Sequence, residues 1–205
     1  MQVRHVSTTI HGRFLHVDRG AERLLVGFHG YAETAEPHLE ELEKIAGIDA
    51  WSVAAVQALH PFYTRSGSVV ANWMTSQDRE LAIEDNLRYV REVMSSLPKP
   101  RTLVFLGFSQ GAAMAARAAA AIRSDGVILL GGDIPPEIAV ANLPPLFLGR
   151  GSRDEWYTEE KLKKDLSSVP TATAFVYDGG HEWTAELRGA VGEFLRVQCR
   201  RDSSA

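Results

Sequence analysis

The chain has 205 residues, 45% of them apolar and 23% charged, proportions that suit a folded domain with a sizeable core. A net charge of -4, a pI near 6.0 and well-mixed signs leave no basic surface for nucleic acid or anionic membrane. The single cysteine, Cys199, rules out an internal disulfide, and no apolar run approaches the roughly 20 residues of a membrane span.

The opening residues, MQVRHVSTTIHGRF, lack the apolar core of a secretory signal, which with the lone cysteine reads as a cytoplasmic protein. Strands are expected at Thr8–Val17 and Arg23–Phe28, and then a helix over Glu36–Ala46. A strand at Ser52–Gln57 precedes a second helix, Asp78–Leu97, in which Ile83, Leu87, Val90 and Met94 mark one buried stripe. Asp78 lies in its first turn and Pro98 follows its end. The strand Thr102–Leu106 runs into an alanine-rich helix, and strands Gly126–Leu130 and Pro145–Leu148 come next. A lysine-rich helical segment around Asp165 leads to strand Ala172–Tyr177. The last helix, Trp183–Val197, carries Leu187, Val191, Phe194 and Leu195, and the polar residues 200–205 read as a frayed tail.

Near-continuous apolar runs such as LLVGF, LVFLGF and VILLG are those of strands covered on both faces. Their alternation with helical patterns predicts one α/β domain over residues 1–205, a mostly parallel sheet with helices on both sides. Ligands of such sheets bind beyond the carboxyl ends of the strands. Four loops there carry chemistry: His29-Gly30-Tyr31, Ser109-Gln110-Gly111, Ser152-Arg153-Asp154 and Gly179-Gly180-His181.

Ser109 sits in Gly107-Phe108-Ser109-Gln110-Gly111, where a strand turns directly into a helix. A serine on such a turn presents its hydroxyl beside the free N–H groups of the helix start. It still needs a base, and His181 is the only histidine after it. Five aspartates lie between the two. Asp125 precedes a strand, at the wrong end of the sheet; Asp165 falls in the lysine-rich segment and reads as solvated; Asp178 is close enough to His181 for a local turn. Asp154, after Pro145–Leu148, is favoured as the acid, and Asp133, after Gly126–Leu130, is its rival. An oxyanion would take the backbone N–H of Gln110 and that of Tyr31 in the HGYA loop, with His29 shaping that loop.

HGYAE, GFSQGAAMA, GRGSRDEW and GGHEW together resemble the phospholipase/carboxylesterase branch of the α/β-hydrolases, which includes acyl-protein thioesterases. The likeness runs from about residue 20 to 196, with GFSQGAAMA its most specific piece and ANWMTSQDRELAIEDN a further one. It implies an α/β-hydrolase fold, a triad of Ser109, Asp154 and His181, and oxyanion donors at Tyr31 and Gln110. The chain departs from the pattern at Ala32 and Glu33, where a glycine and an aspartate are usual. It departs again at Glu155, Trp156 and Tyr157, where small aliphatic residues and proline are usual.

The expected reaction is hydrolysis of a small-molecule carboxylic ester through an acyl-enzyme, with neither metal nor cofactor. Thioesterase, acyltransferase or peptidase chemistry on the same scaffold is the alternative, and a binding module with no catalysis a weaker one. Trp73, Met74, Trp156 and Trp183 are candidates for an apolar substrate pocket.

Overall fold

The apolar runs form the inner strands of a seven-stranded sheet in a computed structural model that describes residues 1–202, with side chains through Gln198. In chain order the elements are β1 (Phe14–Val17), β2 (Arg23–Phe28), α1 (Ala35–Glu43), β3 (Ser52–Val56), β4 (His60–Tyr63), β5 (Val69–Asn72) and α2 (Arg79–Ser96). There follow β6 (Thr102–Phe108), α3 (Gln110–Ala121), β7 (Gly126–Leu130), β8 (Leu146–Gly151), α4 (Glu159–Ser168), β9 (Thr173–Tyr177) and α5 (Ala185–Asp202). The sheet order is β1-β3-β2-β6-β7-β8-β9; only β1 runs antiparallel to its neighbour.

Strand periodicity divides the core into two layers. Leu24, Val26, Phe28, Leu103, Phe105, Val127 and Leu129 point to the side covered by α2, α3 and Leu162 of α4. Leu25, Val104, Leu106, Ile128, Leu130 and Phe147 point to the other, covered by Leu42 of α1 and by Leu187, Val191, Phe194 and Leu195 of α5. Each such side chain taken fully out of water contributes about 1.5–3 kcal/mol. The alanines of α3 let that helix lie close on β6 and β7, and Ala112, Ala115, Ala116 and Ala118 are wholly buried. This is the α/β-hydrolase architecture. Among the described residues no helix is long and apolar enough to cross a membrane.

Several boundaries move for physical reasons. The expected strand Thr8–Val17 is confined to Phe14–Val17, because its partner β3 pairs only from Val56 backward. Residues 8–13 are exposed, Tyr89 Oη donates to the Arg13 carbonyl at 2.6 Å, and the Gln57 N–H closes the ladder on the same carbonyl at 2.9 Å. Strand β8 extends past Leu148 to Gly151 because β9 continues pairing with it as far as Tyr177. On α2 the buried positions are Asn86, Val90 and Val93, so Ile83, Leu87 and Met94 flank the contact face, half-buried. Asp78 is the residue before that helix, in the left-handed region (φ 50°). The hairpin β4–β5 has no counterpart in the sequence reading. Helix α5 continues through Asp202, beyond the expected start of fraying at 200, and 203–205 lie outside the described residues.

Candidate active site

Ser109 occupies the turn between β6 and α3 with φ 55° and ψ -120°, a conformation that costs a residue with a side chain on the order of 1–3 kcal/mol. The surroundings hold it there. Its N–H donates to the Leu130 carbonyl at 2.7 Å, and its carbonyl accepts from the Ala112 N–H at 3.0 Å. The flanking glycine Gly111 is obligatory: a Cβ there would lie 2.0 Å from the Phe28 carbonyl oxygen. Strand β2 thus passes directly behind the elbow.

His181 stands in the loop between β9 and α5, its Nδ1 2.9 Å from Asp154 Oδ2. The Asp154 side chain is fully buried, and its other oxygen accepts the N–H groups of Trp156 and Tyr157, both at 2.9 Å. A carboxylate so bonded is held in one orientation. The imidazole lies over the ring of Phe108, the residue before the serine, with centroids 4.9 Å apart. Gly131, at φ 62°, leaves the room for it: a Cβ there would sit 2.8 Å from His181 Cε1. With Nδ1 donating to Asp154, Nε2 carries the lone pair that can take a proton.

The loop bearing Asp154 is tied from beneath. Arg150, buried at the end of β8, donates Nε to the Tyr157 carbonyl at 2.8 Å and Nη2 to the Ser152 carbonyl at 3.3 Å. Tyr157 Oη donates to Asp165 Oδ2 at 2.8 Å, which also accepts the Ile134 N–H at 3.3 Å. The reading of Asp165 as solvated is therefore corrected. It is buried, and burial pushes its carboxyl above the usual aspartate range and the Tyr157 phenol up as well. Lysines crowd its helix on the exposed face, while Asp165 occupies the inward one.

The other aspartates are engaged elsewhere. Asp133, the rival acid, is exposed and pairs with Lys161 at 3.6 Å. Asp178 pairs with Arg153, and Asp125 accepts the Leu103 N–H at 2.8 Å near the opposite end of the sheet.

Two backbone N–H groups remain, those of Gln110 and Tyr31. That of Gln110 opens α3. Its side chain accepts the Trp73 N–H at 2.9 Å and donates to the Met74 carbonyl at 2.9 Å, locking the segment after β5 to the elbow. The Tyr31 N–H is set by His29. Nε2 of His29 accepts the Ala58 N–H at 3.0 Å, so Nδ1 carries the proton and donates to the Gly30 carbonyl at 2.7 Å. Because the peptide is planar and trans, drawing that carbonyl toward His29 points the Tyr31 N–H the opposite way. Burial holds the His29 imidazole below its usual range, which keeps it neutral for this arrangement. Ala32 follows at φ 58°.

The four pocket candidates separate. Trp73 is wholly buried, its indole N–H donating to the His29 carbonyl at 2.9 Å and its ring edge-on to Phe28, so it is a core residue and not a pocket wall. Trp183 stacks on Phe108 at 5.6 Å, beside His181. Met74 is half-buried next to Gln110, and Trp156 is 73% exposed on the acid loop. A cavity of about 660 Å³ lies between residues 5–14 and α2, and none of these groups lines it.

Sequence reasoning missed the side-chain roles of Gln110, Arg150, Tyr157 and Asp165. Their signals are weak: one amide, one arginine and one buried acid among many, meaningful only once loops meet.

A family model described as serine hydrolase (FSH1) matches residues 32–182, a span that includes Ser109, Asp154 and His181 and starts just after Tyr31. No curated protein matches the chain. Among solved structures it is similar to acyl-protein thioesterase 2 of Zea mays, with a TM-score of 0.74 and 17% identity over 92% of this chain and 99% of that one. A phospholipase/carboxylesterase from Dyadobacter fermentans gives 0.68 and 20% over 94% and 100%. A carboxylesterase from Bacillus cereus gives 0.70 and 15% over 91% and 94%.

Proposed function

The chain belongs to the serine hydrolase (FSH1) family, and on that premise we propose that it hydrolyses carboxylic esters of small molecules at Ser109. The observation that carries the reading is the buried Asp154 bonded to His181 at 2.9 Å, with that imidazole lying over Phe108 next to the strained serine. Names of the fold neighbours, thioesterase and carboxylesterase among them, agree in reaction type.

In this reading Ser109 Oγ attacks the ester carbonyl and passes its proton to His181 Nε2. The tetrahedral oxyanion lies against the N–H groups of Tyr31 and Gln110. His181 then gives its proton to the departing alcohol, leaving an acyl-serine. Water, deprotonated by the same nitrogen, attacks the acyl carbon and releases the acid with Ser109 restored. Asp154 keeps Nδ1 protonated and balances the imidazolium. Trp183, Met74 and Trp156 border the approach to the serine.

A fluorophosphonate probe tests this. Wild type is expected to label at Ser109, and Ser109→Ala to lose both labelling and turnover of p-nitrophenyl esters. Labelling that survives in Ser109→Ala, or a wild type that never labels, refutes the assignment. Matched oxygen and sulfur esters in the same assay separate an esterase from a thioesterase.

A further inference from the structure

The acyl-transfer scheme leaves Glu33 without a task, yet its carboxyl is built into the oxyanion loop. Oε2 accepts the Gly30 N–H at 2.8 Å. A Cβ placed on Gly30 would lie 3.3 Å from that oxygen and 3.4 Å from Ser109 Cβ, so carboxyl and nucleophile flank the same side of one glycine. The backbone of the loop is clasped to β5, the Ala32 N–H donating to the Ala71 carbonyl at 3.0 Å and the Ala71 N–H to the Glu33 carbonyl at 2.8 Å. Among the described residues no lysine or arginine forms a salt bridge with Glu33.

The charges around it act unequally on the carboxyl. Burial lifts the Glu33 carboxyl above the usual range, while the Gly30 bond and the attraction of His181 act against that. Glu41 of α1 opposes ionisation but is itself engaged by Lys44 and Arg188. His29 and His38 are buried with their protonation suppressed. Asp154 is committed to Nδ1 of His181, Asp133 to Lys161, and exposed Glu182 accepts the Gly180 N–H.

We propose that Glu33 is a positioning residue for the reaction. Its carboxylate fixes the Gly30 end of the oxyanion loop and places a negative charge near Ser109, in the field that stabilises the imidazolium formed at His181 as Ser109 attacks. A half-buried charge acts over several ångströms with less screening than one in water. The inference rests on the serine hydrolase reading above.

The test is the pH dependence of kcat/KM for a p-nitrophenyl ester, with fluorophosphonate labelling rates in parallel, in wild type, Glu33→Gln and Glu33→Ala. Glutamine keeps an acceptor for Gly30 and removes only the charge. Its acidic limb is expected to move down by roughly half a pH unit or more, with kcat reduced and KM nearly unchanged. Alanine also removes the acceptor and is expected to lose roughly tenfold more kcat than glutamine. An acidic limb that stays in place in Glu33→Gln overturns the electrostatic role, and equal losses in the two variants overturn the loop-holding one. A wild type that does not label at Ser109 is a failure of the parent reading instead.

Discussion

Asp154 Oδ2 and His181 Nδ1 lie 2.9 Å apart although 27 positions separate them in the chain, because β8 and β9 are parallel neighbours that release their loops on the same edge. That bond supports the proposed role of Asp154 over that of its rival. Asp154→Asn presents the wrong hydrogen-bonding partner to Nδ1 and is expected to lower kcat by on the order of 10³–10⁴. Asp133→Asn removes only an exposed pair with Lys161 and is expected to leave kcat within about twofold. Ester hydrolysis by the two purified variants checks the contrast, and equal losses would move the acid assignment.

His29 acts through a peptide plane rather than on substrate. His29→Ala frees the Gly30 carbonyl and with it the Tyr31 N–H, so kcat is expected to fall on the order of 10² with KM changed much less. A thermal melt of the same preparation distinguishes a misaimed donor from an unfolded protein. Unchanged kcat in a folded variant would remove Tyr31 from the oxyanion hole.

Ala32 holds a left-handed φ of 58° where the resembled branch has glycine. Ala32→Gly relieves that strain, about 1 kcal/mol, against the entropy that glycine loses on folding, also somewhat under 1 kcal/mol. Stability in urea is therefore expected to stay within about 0.5 kcal/mol of wild type with ester turnover retained. A loss well beyond that would mean the alanine methyl makes contacts that matter.

His38 of α1 is buried, and neither ring nitrogen has a hydrogen-bond partner among the described residues. Burial lowers its titration to about 3 from an ordinary 6.5. The folded state therefore binds fewer protons than the unfolded one between those values, and stability is lost as pH falls through that window. The slope is about 1.4 kcal/mol per pH unit, or roughly 2 kcal/mol lost by pH 5. His29, also lowered, adds in the same direction. Replacing the ring by leucine removes the titration, so His38→Leu is expected to show a smaller drop between pH 7 and pH 5 in denaturant unfolding. Parallel curves for the two proteins would contradict this.

What could be read from residues alone was whatever obeys short-range rules. Uninterrupted apolar runs marked β2, β6, β7 and β8 as covered on both faces, since only side chains hidden from water on both sides dispense with alternation. The strand–Gly-x-Ser-x-Gly–helix order marked Ser109, and chain order left His181 as the eligible base. Folding decided the rest, because it depends on which loops share an edge of the sheet. Asp154 and Asp133 each follow a strand, the first favoured and the second its rival, and the β8–β9 pairing is what brings Asp154 to the imidazole. Trp73 and Trp183 are chemically alike, yet one is sealed between β2 and α3 while the other stacks beside the base. Asp165 looks solvated by its lysine neighbours, but a helix has two faces and Tyr157 waits on the inner one. Hydrogen bonds across loops, unlike hydrophobic periodicity, leave no pattern along the chain.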